Sequence, residues 1–129
     1  MNVEEKTIKD VNVLTNDVEN PQKVVILLHG RGGDGKDMID LARHFYSDQN
    51  KYVAPTAKNN EWYPKSFLAP IEQNQPFLDR SLSLLDSLVK KYFGNVGYTN
   101  LHIVGFSQGA CLSLEYVKRN PKRYGGVSV

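Results

Sequence analysis

The chain has 129 residues, a length that fits one domain or a large part of one. Hydrophobic residues make up 40% and charged residues 23%, and the net charge is +2 with both signs mixed along the chain. Composition therefore favours an ordinary globular protein and gives no reason to expect a nucleic-acid or membrane-surface partner. We predict one domain over residues 1–129.

Location and membrane topology follow from a few local features. The longest apolar run near the start, residues 24–28, is far too short to span a bilayer, so we expect no transmembrane segment. The first ten residues contain no apolar core of a secretory signal. Cys111 is the single cysteine and excludes an intrachain disulfide, so a cytoplasmic location is the simplest prediction.

The first half of the chain reads as two strands and a helix. Residues 7–14 alternate apolar and polar side chains and predict an edge strand, and residues 16–22 predict a turn. Residues 23–29 are a β-branched and leucine run, typical of a central parallel strand buried on both faces. The helical spacing of apolar residues predicts a helix over 36–46, with its buried stripe at Met38, Leu41, Ala42 and Phe45.

The second half continues the alternation of strands and helices. We predict a short parallel strand at 52–54, a loop over 55–75, and a long amphipathic helix that Pro76 opens and Gly94 stops. A third central strand at 101–106, a helix at 108–120 and the start of a strand at 127–129 follow. This order predicts the α/β class, with a parallel sheet covered by helices on both faces.

The motif Gly105-Phe106-Ser107-Gln108-Gly109 matches G-x-S-x-G where a predicted strand turns into a helix, the context that a nucleophile elbow requires. A serine on such a turn projects above the sheet, and the strand and helix backbones pass too close for side chains at the glycines. The helix N-terminus also offers N–H groups to a developing oxyanion. The sequence therefore predicts Ser107 as a catalytic nucleophile.

A glycine-rich loop, residues 29–37, follows the first central strand and satisfies parts of three motifs. These are the dinucleotide pattern G-x-G-x-x-G, most of the phosphate-loop pattern G-x-x-x-x-G-K-[ST], and the HGGG-type loop that supplies an oxyanion N–H in esterases. Asp37 stands where a phosphate loop needs a hydroxyl, and residues 53–56 lack the acid that a dinucleotide site expects. We therefore interpret it as an oxyanion loop, with the backbone N–H groups of Arg31 and Gln108 as donors.

The segments VVILLHGRGGDGKDM, YVAPTAKNNEWYPKSF and GFSQGACLSLEY together resemble the phospholipase/carboxylesterase family, over about residues 23 to 129. Those proteins are small α/β hydrolases related to acyl-protein thioesterases. The resemblance implies the α/β-hydrolase fold, a Ser–Asp–His triad, and hydrolysis of carboxylic esters or thioesters without a cofactor or a metal. It also aligns Trp62 and Tyr63 with a loop at the active-site mouth, where we expect them to bind substrate.

One departure concerns the triad, whose order in this fold is serine, then acid, then histidine. Glu115 is the only acid after Ser107 and lies too near it, and no histidine follows. The chain thus resembles a family member truncated after the nucleophile helix. We expect the natural sequence to continue with an Asp and a His, and these 129 residues alone to be nearly inactive. The alternative is an inactive fragment or a non-catalytic binding module.

The remaining candidates have simpler interpretations. We expect His29 to order the oxyanion loop by hydrogen bonding, His102 to be a core residue and His44 a surface residue. Cys111 is interpreted as a small core residue and Arg31 as a side chain in solvent. The expected partner is a small ester or thioester substrate. Whether the protein is a monomer or a homodimer stays open at this point.

Overall fold

A six-stranded sheet forms the centre of the computed structural model, which describes residues 1–16 and 18–129. Residue 17, within the predicted turn 16–22, lies outside the described residues. The strands are β1 (Val3–Ile8), β2 (Val11–Asn16), β3 (Lys23–Leu28), β4 (Asn50–Pro55), β5 (Leu101–Gly105) and β6 (Gly126–Ser128). The helices are α1 (Gly35–Ala42), α2 (Phe77–Val96) and α3 (Gln108–Arg119).

The strand order is β1-β2-β4-β3-β5-β6, and the four strands β4, β3, β5 and β6 pair in parallel. β1 and β2 are antiparallel to each other, and β2 is antiparallel to β4. The predicted α/β class is confirmed, but the sheet is mixed rather than parallel throughout, because the β1–β2 hairpin adds two antiparallel strands. β3 has five consecutive buried residues because helices cover both faces of the sheet at this position.

The predicted edge strand at 7–14 was wrong, because it runs through a hairpin turn. Lys9 and Asp10 have φ angles of 50° and 61° and join β1 to β2, with Ile8 paired to Val11. Two positive φ values are typical of a two-residue type I′ turn, which usually carries asparagine or glycine. Asp10 suits such a turn, but Lys9 is not a usual residue there and no glycine follows Asp10, so the sequence pattern concealed the hairpin.

Helices cover the sheet on both faces, as predicted. α1 packs on one face, where Met38, Ile39 and Ala42 join buried residues of β3 and β4. α2 and α3 pack on the other face over a larger core that includes Ile26, Leu85 and other buried side chains. The predicted amphipathic character of α2 is confirmed, because one stripe of its side chains is buried: Leu78, Leu82, Leu85, Val89 and Tyr92.

The helix boundaries differ from the predictions at two ends. α1 ends at Ala42 rather than near residue 46. Leu41 and Phe45, both placed in the predicted buried stripe, are 44% and 49% exposed. α2 continues past Gly94 to Val96, since a glycine inside a helix costs only about 1 kcal/mol when packing holds the helix on both sides. Neither of these helix ends lies in the loops after β3 and β5, which carry the two sequence motifs.

Candidate active site

Ser107 lies between β5 and α3 on a strained turn. Its φ of 55° and ψ of −113° place a non-glycine residue in a region that such residues rarely adopt. The residue is exposed, and so is Phe106 before it. The strained backbone therefore raises the hydroxyl above the carboxyl edge of the sheet, as a nucleophile elbow does.

The two glycines of the motif are needed for close backbone approach. A Cβ built on Gly105 would lie 2.5 Å from the carbonyl oxygen of Gly109. A Cβ on Gly109 would overlap the carbonyl oxygen of Leu28 and lie 2.6 Å from that of His29. The steric reason given for G-x-S-x-G is thus present in the structure, and it extends to the neighbouring strand β3.

The glycine-rich loop of residues 29–37, which we interpret as an oxyanion loop, lies against the turn at Ser107. A Cβ built on Gly30 would lie 3.2 Å from the Cβ of Ser107 and 3.3 Å from the carbonyl oxygen of Phe106. The amide of Phe106 also donates to the carbonyl of Leu28 at 3.0 Å. The two loops that carry the sequence motifs therefore meet at Ser107, which puts Arg31 in the loop next to the serine.

The peptide between Gly30 and Arg31 is oriented by hydrogen bonds at its carbonyl end. The Gly30 oxygen accepts from the amide of Gly33 at 3.0 Å and lies 2.7 Å from Nδ1 of His29. In a trans peptide the N–H points away from its carbonyl, so these bonds fix the direction of the Arg31 amide. Within the described part of the chain, neither that amide nor the Gln108 amide donates to a protein acceptor.

His29 orders this loop and is buried. Its Nε2 accepts from the amide of Ala57 at 2.9 Å, which requires the proton on Nδ1 and makes Nδ1 the donor to Gly30. Its ring stacks on Trp62 with centroids 4.8 Å apart. Burial lowers the pKa of His29, although the bond to Gly30 acts in the opposite direction. Both ring nitrogens are thus engaged away from Ser107.

The side chain of Gln108 was overlooked by sequence reasoning, which considered only its backbone. Its Oε1 accepts from the amide of Trp62 at 2.7 Å, and its Nε2 donates to the carbonyl of Tyr63 at 2.8 Å. Trp62 also donates from its indole to the carbonyl of His29 at 2.8 Å. The residue after the serine therefore anchors the aromatic loop. A long polar side chain at the first position of α3 was the available signal.

The Arg31 side chain is exposed, as predicted, and it also has protein partners. Although 41% exposed, it pairs with Glu61 at 2.7 Å and donates to the carbonyls of Pro64 and Lys65, both at 3.0 Å. A guanidinium has enough donors to bind three acceptors at once. Arg31 therefore ties the oxyanion loop to the segment after Trp62 and Tyr63.

Trp62 and Tyr63 are 2% and 4% exposed and line a cavity of about 480 Å³. Ser107 does not line this cavity. Desolvation raises the pKa of Tyr63 to about 12, and the neighbouring Cys111 thiol adds to the shift. Cys111 is half-buried rather than a core residue. The Tyr63 side chain thus reaches the first turns of α3, the helix that begins directly after Ser107.

The other titratable residues stand apart from Ser107. His44 is exposed, as predicted. His102 is half-buried against Gly125 and Gly126 rather than fully in the core, and burial lowers its pKa. Glu115 pairs with Arg119 at 3.0 Å. Across residues 1–16 and 18–129, no hydrogen bond joins Ser107 to a histidine or a carboxylate.

The start of α1 does not suit a phosphate. Asp34 accepts from the amide of Asp37 at 2.9 Å, and Asp37 accepts from the amide of Asp34 at 3.2 Å. This capping box fills the helix N-terminus with two carboxylates, which would repel an anion.

In the described ranges no group of three or more histidine, cysteine or acidic residues is placed to hold a metal. No helix there is long and apolar enough to cross a bilayer.

The chain is similar to known hydrolases in sequence and structure. A crystal structure of a phospholipase/carboxylesterase from Dyadobacter fermentans DSM 18053 superposes with a TM-score of 0.84 and 43% identity, over 89% of this chain and 56% of that one. Esterase PE8 superposes with a TM-score of 0.66 and 26% identity, over 83% and 56%. Arabidopsis thaliana SOBER1, at 21% identity and a TM-score of 0.67 over 81% and 59%, shares the fold.

The chain thus spans little more than half the length of these relatives. The family model described as Phospholipase/Carboxylesterase matches residues 9–129, beginning further upstream than the resemblance noted in the sequence. Because this family model covers nearly the whole chain, the chain belongs to the phospholipase/carboxylesterase family, and the predicted α/β-hydrolase fold is confirmed.

Proposed function

We propose that the protein containing this chain is a serine hydrolase that cleaves carboxylic esters or thioesters through an acyl-enzyme at Ser107. The observation that carries the proposal is the meeting of the two loops. Ser107 stands on a strained elbow. A Cβ built on Gly30 of the oxyanion loop would lie 3.2 Å from the Cβ of Ser107. Family membership supports the same chemistry.

In the proposed reaction the Ser107 oxygen attacks the substrate carbonyl carbon and gives up its proton to a base. The carbonyl oxygen becomes an oxyanion, which accepts hydrogen bonds from the amides of Arg31 and Gln108. The alcohol or thiol leaves with a proton from the same base, and water then hydrolyses the acyl-enzyme by the reverse route. No cofactor or metal takes part.

The base and its orienting carboxylate are proposed to come from a later segment of a longer protein. His29 uses both ring nitrogens elsewhere, and the described chain places no other histidine at Ser107. The fold orders its triad as serine, acid, histidine, and the relatives are considerably longer than this chain. A small-molecule ester or thioester in the cytoplasm remains the proposed substrate and setting, with Trp62 and Tyr63 proposed to border its acyl part.

Covalent labelling tests the role of Ser107 in the longer protein. A fluorophosphonate probe should label the parent and Ser87→Ala equally, because the Ser87 hydroxyl only bonds the carbonyl of Ser83 on α2. Ser107→Ala should lose labelling and on the order of 10⁶ in kcat. Labelling that survives in Ser107→Ala would sink the assignment. A correctly folded parent that never labels would favour the non-catalytic binding module.

A side-by-side assay tests the origin of the base. The 129-residue chain and the longer protein are compared on p-nitrophenyl acetate, with folding of each checked by circular dichroism. The longer protein should hydrolyse the ester, and the 129-residue chain should show almost no hydrolysis, since a serine hydroxyl without a base is a weak nucleophile. Comparable turnover would refute the missing-triad argument and point to His29 as an unexpected base.

A further inference from the structure

Trp62 and Tyr63, which are proposed above to border the acyl part of the substrate, also line a cavity that does not include Ser107. This cavity lies between the start of β2 and the first turns of α2, where Val11 and Leu84 face it. Its volume of about 480 Å³ falls within the range of about 300–1,000 Å³ that is usual for small-molecule sites. Neither Ser107 nor any residue of the 29–37 loop lines it. Its ligand is therefore decided by its own lining.

The floor of this cavity is apolar and held in place. Val11, Ala57, Trp62 and Leu84 line it, and each is at most 7% exposed. The backbone of Trp62 is fixed at its amide by Gln108 and at its carbonyl by the hydroxyl of Ser81, which donates at 2.6 Å. Because this floor is apolar, it suits an apolar ligand chain. Because it is already held in place, binding costs little conformational entropy.

The rim carries three cations from three separate segments. Lys9 comes from the β1–β2 turn, Lys58 from the segment after β4, and Arg80 from α2. All three are exposed, and in the described chain none forms a salt bridge. Glu61 is the single acidic residue of the lining, and its charge is already paired with Arg31 at 2.7 Å. The rim therefore presents an excess of positive charge.

Local contacts keep two of these cations at the cavity. The Lys9 ammonium donates to the hydroxyl of Ser83, another lining residue, at 3.0 Å. The guanidinium of Arg80 lies 5.8 Å from the ring centroid of Phe77, which also lines the cavity. The Asp86 carboxylate interacts electrostatically with Lys9, but its ion pair is with Lys90, at 2.8 Å. Among residues 1–16 and 18–129, neither cation forms a salt bridge with an acidic partner.

We infer that this cavity binds a single-chain amphipathic anion, with its apolar chain on the floor at Trp62 and its anionic head between Lys9, Lys58 and Arg80. Carboxylate and phosphate heads share the chemistry that such a rim recognises, since both accept charge-assisted hydrogen bonds from guanidinium and ammonium groups. A cationic head would be repelled, and an uncharged head would leave the rim unused. The inference does not depend on hydrolysis at Ser107.

Intrinsic fluorescence gives a direct assay, because Trp62 is the only tryptophan and forms part of the floor. Decanoate and decyl phosphate are titrated into the protein, with decanol and decyltrimethylammonium as matched chains. Both anions should give a saturable change, and the tighter one identifies the head. Affinity should rise about fourfold for each buried methylene between hexanoate and decanoate.

Two variants and a control locate the bound anion. Arg80→Gln and Lys58→Gln should each weaken decanoate binding about tenfold, since each removes one charged donor from the rim. Lys118→Gln removes the same charge from an exposed site on α3 and should leave binding unchanged. Equal binding of decanol, unchanged affinity in Arg80→Gln and Lys58→Gln, or no saturable change with either anion would overturn the inference.

Discussion

Gly30 and Ser107 face each other so closely that a Cβ built on the glycine would lie 3.2 Å from the Cβ of the serine. This contact joins two loops that are far apart in the sequence, one after β3 and the other after β5. Because the peptide between Gly30 and Arg31 belongs to the first loop, the contact also decides how far its amide lies from the serine.

Gly30→Ala should reduce activity more than stability. The added methyl group would also lie 3.2 Å from Cδ1 of Phe106, an exposed side chain that can move, so we expect a loss of about 1 kcal/mol in unfolding free energy. The Arg31 amide would shift by a few tenths of an ångström, and kcat/KM of the longer protein should fall at least about tenfold. Gly94→Ala is the control: it meets no atom within 4 Å and should raise stability by up to about 1 kcal/mol with normal activity. Parent-like kcat/KM in Gly30→Ala would contradict the proposed donor.

Gly109→Ala should be severely destabilising. Its methyl group would overlap the carbonyl oxygen of Leu28 in the central strand, and backbone cannot move aside as a side chain can. We expect a loss of about 3 kcal/mol or more in urea unfolding. Ala110→Gly, one position later in α3, should cost only about 1 kcal/mol through helix propensity. If the two variants were equally stable, α3 could not approach β3 this closely.

Gln108→Leu should destabilise the protein by leaving the buried amide of Trp62 without an acceptor. That single loss costs about 1–3 kcal/mol, and the carbonyl of Tyr63 loses its donor as well. Gln75→Leu is a matched control, because Gln75 also makes two hydrogen bonds, both with exposed Asp79. The unfolding free energies of the two variants, measured in urea, should differ by more than about 1 kcal/mol. Overlapping unfolding curves would count against the anchoring role of Gln108.

Gln108→Glu should make stability depend on pH. A carboxylate can still accept from Trp62, but only a protonated carboxyl can donate to the carbonyl of Tyr63. Folding therefore raises the pKa of the introduced carboxyl above its unfolded value of about 4.3. The stabilisation is fully present below that value and is lost as pH rises through the folded pKa. Unfolding curves for Gln108→Glu that run parallel to those of the parent at every pH would rule this out.

Stability of the parent should fall on the acid side of neutrality because of His29. Burial lowers its folded pKa below the unfolded value of about 6.5, so its contribution is present above that value and is lost as pH falls toward the folded pKa. His102 has a lowered pKa as well, so His102→Gln is needed as a comparison. His29→Asn should reduce the difference in unfolding free energy between about pH 5 and about pH 7 more than His102→Gln does. A larger effect of His102→Gln than of His29→Asn would mean that His102 causes most of the pH dependence.

The sequence by itself determined the features that depend on local sterics and periodicity. The buried strand before His29, the apolar stripe of α2 and the glycines around Ser107 could all be recognised within short segments. The elbow requires small residues two positions on either side of the serine wherever a strand turns directly into a helix. The fold class, the family and the two loops that meet at Ser107 were therefore predictable.

Only the tertiary structure decided the features that depend on contacts between distant segments. Gln108 binds the backbone of Trp62 across 46 positions, and Arg31 reaches Pro64 across 33, through side chains whose partners no short pattern specifies. The Lys9–Asp10 turn is set by pairing of β1 with β2 rather than by its own residues. The cavity exists because the turn, the segment after β4 and α2 are brought together. Sequence patterns record which side chains are buried, whereas the fold alone determines which ones face each other.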